Sequence, residues 1–273
     1  MSGPKPVGAD LHLADVDPSS TPDIANRREA VRKRNGHADE IADLQERLYA
    51  AGKEGGKRSV LLVLQAMDTA GKGGIVRHVV GAMDPQGVHL HAFKAPTAEE
   101  RAHDFLWRVR PQVPAPGMIG VFDRSHYEDV LIARVHALAA PEIIEQRYGR
   151  IADFEREVVG SGTAIVKVML HISRDEQKKR LARRLDRRDK QWKYNPQDVE
   201  ERGRWDDYMA AYELAIRRTT TPDAPWFVVP ADHKWYARWA VQTIVLQALR
   251  DIDPVWPDVP YDVAAEKVRL AAT

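Results

Sequence analysis

The stretch that decides the fold is Ser59-Val-Leu-Leu-Val-Leu-Gln-Ala-Met67, followed at once by Asp68-Thr-Ala-Gly-Lys-Gly-Gly74. The first part is a short, almost continuous apolar run with β-branched members, which is typical of a strand buried on both faces of a parallel sheet. In the second part, glycines let several backbone N–H groups face one anion, and a lysine adds a full positive charge. A strand, a glycine-rich loop and a helix in this order indicate a phosphate-binding loop.

The loop departs from the usual Walker A pattern in two places. Ala66 replaces the first glycine, and Gly73 stands where a Ser or Thr normally holds magnesium. Asp68 would repel phosphate unless a divalent cation lies between them, and Mg²⁺ takes carboxylate and phosphate oxygens. We therefore predict Asp68 as a metal ligand; the alternative is a tight glycine turn with solvated side chains. The residues predicted to contact phosphate are Ala70, Gly71, Lys72, Gly73 and Gly74.

Four further apolar runs resemble the first: Val88–Phe93, Met118–Phe122, Ala164–Ile172 and Trp226–Val229. Helical patterns follow or separate the five runs, at Lys72–Met83, Ala98–Arg110, His126–Leu138, Glu142–Val159, Asp175–Leu185, Val199–Arg218 and Trp235–Ile252. This alternation predicts an α/β fold with a parallel sheet covered on both faces. Ligands bind such sheets at the C-terminal ends of the strands. The chemistry is therefore expected just after the first four runs.

The third run ends in a carboxylate, Asp123, followed by Arg124. An Asp at the end of a strand facing a phosphate loop is the Walker B arrangement. The guanidinium of Arg124 can bind phosphate oxygens in pairs. The alternative is that Asp123 only caps the helix predicted from His126. With a phosphate loop upstream, we predict Asp123 as the second metal ligand and Arg124 as a catalytic phosphate clamp.

A basic stretch follows the fourth run. Between Arg174 and Lys193 there are ten basic and four acidic residues, although the whole chain carries a net charge of only +1. Arg180 and Arg184 are four residues apart and share one helix face. A solvated helix face is the alternative. The concentration of charge at the catalytic edge of the sheet favours a lid, about residues 174–200, over a long polyanion. The lid residues predicted to act on phosphate are Arg180, Arg183, Arg184 and Arg187.

The composition of the chain argues against several kinds of partner and chemistry. The 41 basic and 40 acidic side chains nearly cancel, so nothing in the total charge indicates nucleic acid or an anionic membrane as a partner. There are no cysteines, which excludes disulfides, thiol catalysis and cysteine-held metals. The longest apolar run is too short to span a bilayer, and the sequence predicts a soluble, cytoplasmic protein.

The chain also carries a series of distinctive motifs. They are Met67-Asp-Thr-Ala-Gly-Lys-Gly-Gly74, Phe93-Lys-Ala-Pro-Thr97, His103-Asp-Phe-Leu-Trp-Arg108, Asp123-Arg-Ser-His-Tyr-Glu-Asp-Val-Leu131, Gln191-Trp-Lys-Tyr194, Trp205-Asp-Asp-Tyr208 and Ala224-Pro-Trp-Phe-Val-Val-Pro-Ala-Asp-His-Lys-Trp-Tyr236. In this order, from about Arg27 to Trp256, they resemble the type-2 polyphosphate kinase family. The Ser125-His-Tyr-Glu-Asp-Val-Leu131 run resembles the branch that accepts both nucleoside mono- and diphosphates.

The resemblance implies a three-layer α/β/α P-loop kinase fold, similar to thymidylate kinase, with a helical lid and an N-terminal helical extension. It implies magnesium as cofactor, inorganic polyphosphate as donor, AMP, ADP and ATP as nucleotides, and a homo-oligomer, either a dimer or a tetramer. Asp68 and Asp123 match the metal-binding carboxylates, Lys72 and Arg124 the phosphate clamps, and Arg184 the lid arginine. The positions that match the acceptor-nucleotide side are Lys94, Thr97, Asp104, Arg108 and Glu128.

For the organisation of the chain we expect a flexible tail over residues 1–22, one kinase-like domain over 23–256 that begins with a surface helix near Pro22–Gly52, and a second tail over 257–273. Two other functions stay open. An ATP-dependent nucleoside monophosphate kinase of the same fold would differ only in its donor, and the basic lid argues against it. A non-catalytic nucleotide switch is disfavoured because two carboxylates at a phosphate site repel the ligand without metal chemistry.

Overall fold

The protein is built on one five-stranded parallel sheet. In this computed structural model, which describes residues 3–273, the strands run β1 (Ser59–Ala66), β2 (Val88–Ala92), β3 (Ile119–Asp123), β4 (Thr163–His171) and β5 (Trp226–Pro230). Their order across the sheet is β2-β3-β1-β4-β5. All five predicted strands are confirmed, each end within one residue of its prediction. All eight residues of β1 are buried, because β3 and β4 flank it and helices cover both faces.

Helices cover the sheet on both faces, as predicted. In chain order the α-helices of the described residues are α1 (Arg27–Lys53), α2 (Lys72–His78), α3 (Ala98–Ala102), α4 (Ile132–Val135), α5 (Pro141–Gly160), α6 (Arg174–Asp186), α7 (Arg188–Gln191), α8 (Gln197–Gly203), α9 (Trp205–Thr219), α10 (Lys234–Ile252) and α11 (Val263–Ala271). Helices α2 and α10 pack against β1, α10 also packs on β4 and β5, and α1 packs along α10. Helix α5 packs on β4, and α9 packs on α5. The fold is the three-layer α/β/α arrangement.

Four predicted helices are shorter than expected or divided. The helix predicted over Ala98–Arg110 ends at Ala102, because the side chain of Asp104 accepts a hydrogen bond from the Leu106 amide at 3.1 Å and starts a turn. The helix predicted over His126–Leu138 is a 3₁₀ turn, His126–Asp129, followed by α4. The hydroxyl of Ser125 starts that turn by accepting from the Tyr127 amide.

The other two differences are simpler. The helix predicted over Val199–Arg218 divides at Arg204 into α8 and α9. The helix predicted over Lys72–Met83 ends at His78 and continues as a 3₁₀ turn, Val80–Ala82.

The N-terminal segment differs from the expected flexible tail over residues 1–22. The Val7 amide donates to the Trp226 carbonyl at 2.8 Å, which forms one antiparallel bridge to the outer edge of β5. The hydroxyl of Thr220 donates to the Val7 carbonyl, and the Leu13 side chain is buried in the main core. The described residues 3–22 therefore lie along the domain. Hydrophobic periodicity does not reveal this packing, because isolated side chains and backbone groups make the contacts in a segment rich in small and turn-forming residues.

Candidate active site

A cleft opens at the C-terminal ends of β1, β3 and β5. It has a volume of about 530 Å³ and is bounded by the loop after β1, the start of α2, helices α6 and α7, and the start of α10. Eleven lysine and arginine side chains but only two carboxylates line it. The basic residues are Lys72, Arg77, Arg124, Arg180, Arg183, Arg184, Arg187, Lys190, Lys193, Lys234 and Arg238, and the acidic ones are Asp68 and Asp123. This charge balance suits a ligand with several negative charges.

The loop between β1 and α2 presents backbone donors to the cleft. Gly71 has φ +132°, a conformation open to glycine and strained for other residues. Within the described chain the amides of Gly71, Lys72 and Gly73 donate to no protein acceptor. The ammonium group of Lys72 folds back and donates to the Ala66 carbonyl at 3.2 Å. Three open amides next to a lysine are what an anion-binding loop requires.

Arg124 and Asp68 meet across the cleft. The Arg124 guanidinium donates to the Asp68 carboxylate at 3.0 Å. Burial works against the charged guanidinium, but the carboxylates of Glu128 and Asp68 outweigh it and raise the pKa of Arg124. Arg124 also adopts a left-handed backbone, φ +64°, which is strained for a residue with a Cβ. Such strain is typical of functional sites, and here it directs the arginine back over the phosphate loop.

Two carboxylates, Asp68 and Asp123, are the groups in the cleft that suit a hard cation. Among residues 3–273 there is no cluster of three or more potential metal-ligating side chains of His, Cys, Asp or Glu. Mg²⁺ usually keeps waters and takes one or two carboxylates plus substrate phosphates, whereas a dedicated protein cage needs more ligands. The donor set therefore fits a magnesium ion that arrives with the phosphate substrate. It does not fit a resident metal held by protein alone.

Four lid arginines line the cleft, and three of them each have a carboxylate partner within the lid and lie beside the open cleft. Arg184 pairs with Asp198 at 3.2 Å, Arg187 with Asp189 at 2.9 Å, and Arg183 with Glu176 at 3.7 Å. These contacts leave guanidinium N–H groups for a ligand, because each arginine has five.

Arg180 differs from its lid neighbours because it is buried and fully bonded. Its five N–H groups donate to the carbonyls of Thr69, Ala70, Ala231 and Asp232 and to the Glu176 carboxylate, at 2.6 to 3.1 Å. The predicted role of Arg180 as a direct phosphate ligand therefore does not match its contacts. The residue holds α6, the phosphate loop and the end of β5 together, and it adds positive charge beneath the cleft.

The sequence interpretation missed one carboxylate near the site, Asp198 on α8. Burial raises the pKa of Asp198, and the negative charge of Asp68 raises it further, against the attraction of Arg184. Glu128, predicted on the acceptor side, behaves similarly. Burial raises the pKa of Glu128, although Arg124 and Lys72 lie close enough to lower it. Both carboxyl groups lie close to the charged residues of the phosphate loop, and burial disfavours their negative charge.

None of the five predicted nucleotide-binding residues lines the cleft. The Arg108 guanidinium donates to the Lys94 carbonyl at 2.8 Å and lies 3.5 Å from the Asp129 carboxylate. Thr97 caps α3, and Asp104 pairs with Arg150 at 2.6 Å. Arg108 and Lys94 are thus in contact beyond the C-terminal end of β2, whereas Asp104 is paired with α5. Their role in binding nucleotide stays a prediction.

Several cleft residues were not predicted. Lys190 and Lys193 belong to the basic stretch, but Arg77, Lys234 and Arg238 lie outside it. The available signal was position: Lys234 and Arg238 are four residues apart at the start of α10, directly after β5. The rule that ligands lie beyond strand ends applies to the fifth strand as well as to the first four.

Comparison with known proteins gives a consistent picture. A sequence profile of the family described as Polyphosphate kinase 2 matches residues 25–255. The chain is 46% identical to an AMP/ADP-polyphosphate phosphotransferase of Meiothermus ruber, over 84% of this chain and 83% of that protein. It is 42% identical to an ADP-polyphosphate phosphotransferase of Rhodopseudomonas palustris, over 81% and 79%. A crystal structure of polyphosphate kinase 2 from Arthrobacter aurescens matches with a TM-score of 0.96 and 56% identity, covering 98% of this chain and 95% of that one.

Proposed function

The chain belongs to the polyphosphate kinase 2 family, and from this premise we propose that it transfers phosphoryl groups, reversibly, between inorganic polyphosphate and the nucleotides AMP and ADP. It is a phosphotransferase with a P-loop kinase fold. The observation that supports the donor best is the cleft, with eleven basic side chains against two carboxylates. A nucleoside triphosphate needs fewer cations, whereas each phosphate of a long donor adds a negative charge.

The reaction needs alignment and charge neutralisation more than covalent help from the protein. A terminal phosphoanhydride P–O bond of the donor breaks, and an oxygen of the acceptor's last phosphate forms the new P–O bond. Lys72, Arg124 and the open loop amides offset the negative charge on the transferred group. Arg184 approaches from the lid side, which also limits access of water. The acceptor oxygen is already ionised, so the reaction requires no general base.

We propose Mg²⁺ as the cofactor, held by Asp68 and Asp123. When bound, the ion neutralises and orients phosphate oxygens. This assignment is supported by the position of both carboxylates in one phosphate cleft, and by the missing Walker A hydroxyl at Gly73.

One assay tests the donor. The protein is incubated with ADP, magnesium and long-chain polyphosphate in the absence of ATP, and the nucleotides are separated by chromatography. We expect ATP to form, and we expect Lys72→Ala to abolish its formation. If phosphoryl transfer occurs only when a nucleoside triphosphate is supplied, the protein is a nucleoside monophosphate kinase and our proposal is wrong.

The acceptor range needs a separate test, because one relative is named for AMP and ADP and another for ADP alone. The Ser125–Leu131 run, which includes Glu128, supports acceptance of both. With AMP as the sole nucleotide and polyphosphate as donor, we expect ADP and then ATP. ADP turnover with inert AMP would contradict the acceptor range and leave the donor unaffected.

The assembly and location are also proposals. We propose a homo-oligomer, a dimer or a tetramer, located in the cytoplasm. The C-terminal segment supports self-association, because Val255, Trp256, Val268 and Leu270 are exposed and α11 buries none of its residues against the domain. Sedimentation equilibrium tests this, and a monomer at micromolar concentration would contradict it. None of the helices in residues 3–273 combines the length and the hydropathy of a membrane-spanning segment.

A further inference from the structure

A group of hydrogen-bonded polar side chains is buried between the sheet and helices α5 and α9. The Lys167 ammonium on β4 donates to the Glu155 carboxylate on α5 and, at 2.8 Å, to the Thr219 carbonyl on α9. The Tyr127 hydroxyl donates to Glu155 at 2.7 Å and lies 2.9 Å from the Thr219 hydroxyl. The His126 imidazole lies 3.3 Å from the same carboxylate. We name these residues the buried network, and none is more than 2% exposed: His126, Tyr127, Glu155, Lys167 and Thr219.

The Glu155 carboxylate is ionised near pH 7 although it is buried. Burial disfavours the charged form, but Lys167 and His126 outweigh it and hold the pKa of Glu155 below its ordinary value. An ion pair inside a protein often adds no stability over apolar side chains of the same volume, because the desolvation cost offsets the attraction. Stability alone therefore does not account for this pair. The pair does fix one arrangement of the elements that it joins, since breaking a contact leaves a buried polar atom unpaired.

The buried network holds the turn that follows Arg124. His126 and Tyr127 are the first two residues of the 3₁₀ turn, and Ser125 precedes them. Ser125 is also fully buried, and its hydroxyl accepts from the Gln65 side chain on β1 at 3.0 Å. Three consecutive side chains after Arg124 are thus bonded to four different elements, β1, β4, α5 and α9. The backbone on this side of Arg124 is therefore firmly held.

Arg124 depends on its backbone for its direction. Its φ of +64° is strained, and such a conformation persists only where the surrounding structure holds it. On the strand side its amide donates to the Leu64 carbonyl at 3.0 Å. Its side chain is 40% exposed and, within residues 3–273, has one hydrogen-bond partner, Asp68. The side chain has few contacts of its own, so the turn that follows sets where the guanidinium points.

We propose that the buried network positions Arg124 for phosphoryl transfer, and that Tyr127 is the positioning residue that connects the network to the cleft. The inference rests on the proposed function, in which Arg124 offsets charge on the transferred group. A misplacement of about 1 Å in such a group can cost about 10²-fold in rate. Without the Tyr127 hydroxyl, the turn and Arg124 relax towards an unstrained backbone. The substrates still bind, but the transition state loses its clamp.

The test uses Tyr127→Phe, which removes one oxygen and keeps the ring. The matched control is Ser59→Ala. The hydroxyls of Ser59 and Thr163 are 2.8 Å apart and buried between the first residues of β1 and β4, at the end of the sheet away from the cleft. Each variant thus loses one buried hydroxyl that joins two elements, and only one of the two lies behind Arg124.

The rates are measured with ADP and long-chain polyphosphate, at a temperature where thermal melting shows each variant to be folded. In Tyr127→Phe we expect kcat to fall about tenfold or more and both KM values to change less than about twofold, because the lost interaction belongs to the transition state. In Ser59→Ala, kcat should stay within about twofold of the parent. If Tyr127→Phe does not fold, Thr219→Val replaces it, since it removes the hydroxyl beside Tyr127 and keeps the volume.

The double variant Tyr127→Phe/Arg124→Gln distinguishes positioning from a general weakening of the core. If Tyr127 acts through Arg124, its loss should lower kcat by less than about twofold once Arg124 is replaced. An equal loss in both backgrounds would overturn the inference. So would a loss in KM alone, or a kcat of Tyr127→Phe that matches Ser59→Ala.

Crystal structures of Tyr127→Phe and Ser59→Ala give a readout that does not depend on turnover. In Tyr127→Phe we expect Arg124 to leave its left-handed backbone conformation or its contact with Asp68, and in Ser59→Ala we expect it to keep both. If the unmodified protein makes no ATP from polyphosphate, the proposed function fails, and this comparison still decides whether the buried network positions Arg124. An unchanged Arg124 in Tyr127→Phe would show that it does not.

Discussion

At the scale of single residues, the site depends on charged side chains in positions where repulsion or backbone strain is unfavourable. Asp68 brings a carboxylate into a cleft of cations and phosphates, and Arg124 holds it at 3.0 Å from a strained backbone. Without metal, Asp68 would only oppose the ligand and occupy the phosphate clamp. In our proposal, the same carboxylate binds Mg²⁺ and supplies the oxygen that a Walker A hydroxyl usually provides.

Asp68→Asn tests this role directly. The change keeps the size of the side chain and removes its charge. We expect the rate of transfer to fall by roughly 10²–10⁴, or about 3–5 kcal/mol of transition-state stabilisation. The melting temperature should hardly change, because the side chain is partly exposed. Steady-state kinetics and thermal melting measure the two effects.

The double variant Asp68→Asn/Asp123→Asn provides the control. If both carboxylates hold one ion, its loss is much smaller than the product of the single losses. Near-normal turnover of Asp68→Asn at ordinary magnesium concentration would mean that the loop is wrongly interpreted.

Glu128 gives a prediction about pH. Since burial raises its pKa in the folded protein above the ordinary 4.5, the folded state binds more protons than the unfolded state between the two values. The contribution of this group to the free energy of unfolding is therefore greatest at low pH and is lost as pH rises through the folded pKa. Glu128→Gln removes this loss, so the variant should be more stable than the parent at pH 8, with a smaller difference near pH 5.

Denaturant unfolding at the two pH values measures the difference. We expect the same variant to transfer phosphate more slowly, because its stability gain comes from removing a functional charge. A stability difference between variant and parent that is the same at both pH values would contradict the raised pKa.

Individual site residues were predictable where they directly follow a strand that the sequence shows as an apolar run. Lys72, Asp123 and Arg124 follow strands that are clear from apolar runs, and the structure places all three in one cleft. The contacts of Arg180 were not predictable, because a charged residue on a helix face gives no sign that five protein oxygens surround it. Lys167 is similar: it is an ordinary strand residue by pattern, yet it is fully buried against Glu155 and Tyr127.

At the scale of elements, α6 divides into a fixed half and a projecting half. Arg180 fixes the N-terminal half to the phosphate loop and to the end of β5. Beyond it, Arg184 bonds only within the lid, to Asp198 and to the Lys193 carbonyl. The contacts of Arg184 therefore hold the lid segments to one another and do not tie them to the phosphate loop.

Arg180→Gln should lower both stability and activity, although the side chain has no free donor for substrate. The loss of buried, charge-assisted hydrogen bonds should cost on the order of 3 kcal/mol of unfolding free energy. The exposed neighbour Arg183 provides the matched control, and Arg183→Gln should change stability by less than about 0.5 kcal/mol. Denaturant unfolding of both variants measures this, and equal stabilities would contradict the anchoring role.

The strands were predictable to a residue and several helices were not. A strand that is buried on both faces consists mostly of apolar residues, as β1 and β4 do, so it can be recognised from its composition. Helix ends depend instead on local competition from side chains. Asp104 and Ser125 each bond a nearby amide and replace a helical turn by a tighter one. Residue types alone do not show which Asp or Ser will do so.

At the scale of the whole molecule, charge is segregated. The net charge of the chain is +1, whereas the cleft alone carries a large positive excess. The rest of the chain is therefore net acidic, which favours binding of a polyanion at the cleft.

Transfer from long-chain polyphosphate should therefore fall steeply as salt rises, since many contacts are screened together within a Debye length of about 8–10 Å. Tripolyphosphate should show a shallower fall under the same conditions. Initial rates over a series of salt concentrations measure both slopes. A flat response with the long donor would argue against an extended phosphate track.

The contact of the N-terminal segment with β5 has a consequence for how the protein folds during synthesis. Val7 leaves the ribosome before its partner Thr220, which lies 213 residues later in the chain. Throughout that interval the backbone groups of the segment have no native partner, and β5 itself does not yet exist. The bridge between Val7 and β5 therefore forms only after Trp226 has been made, and until then the edge of the growing sheet stays open to strand pairing with neighbouring chains.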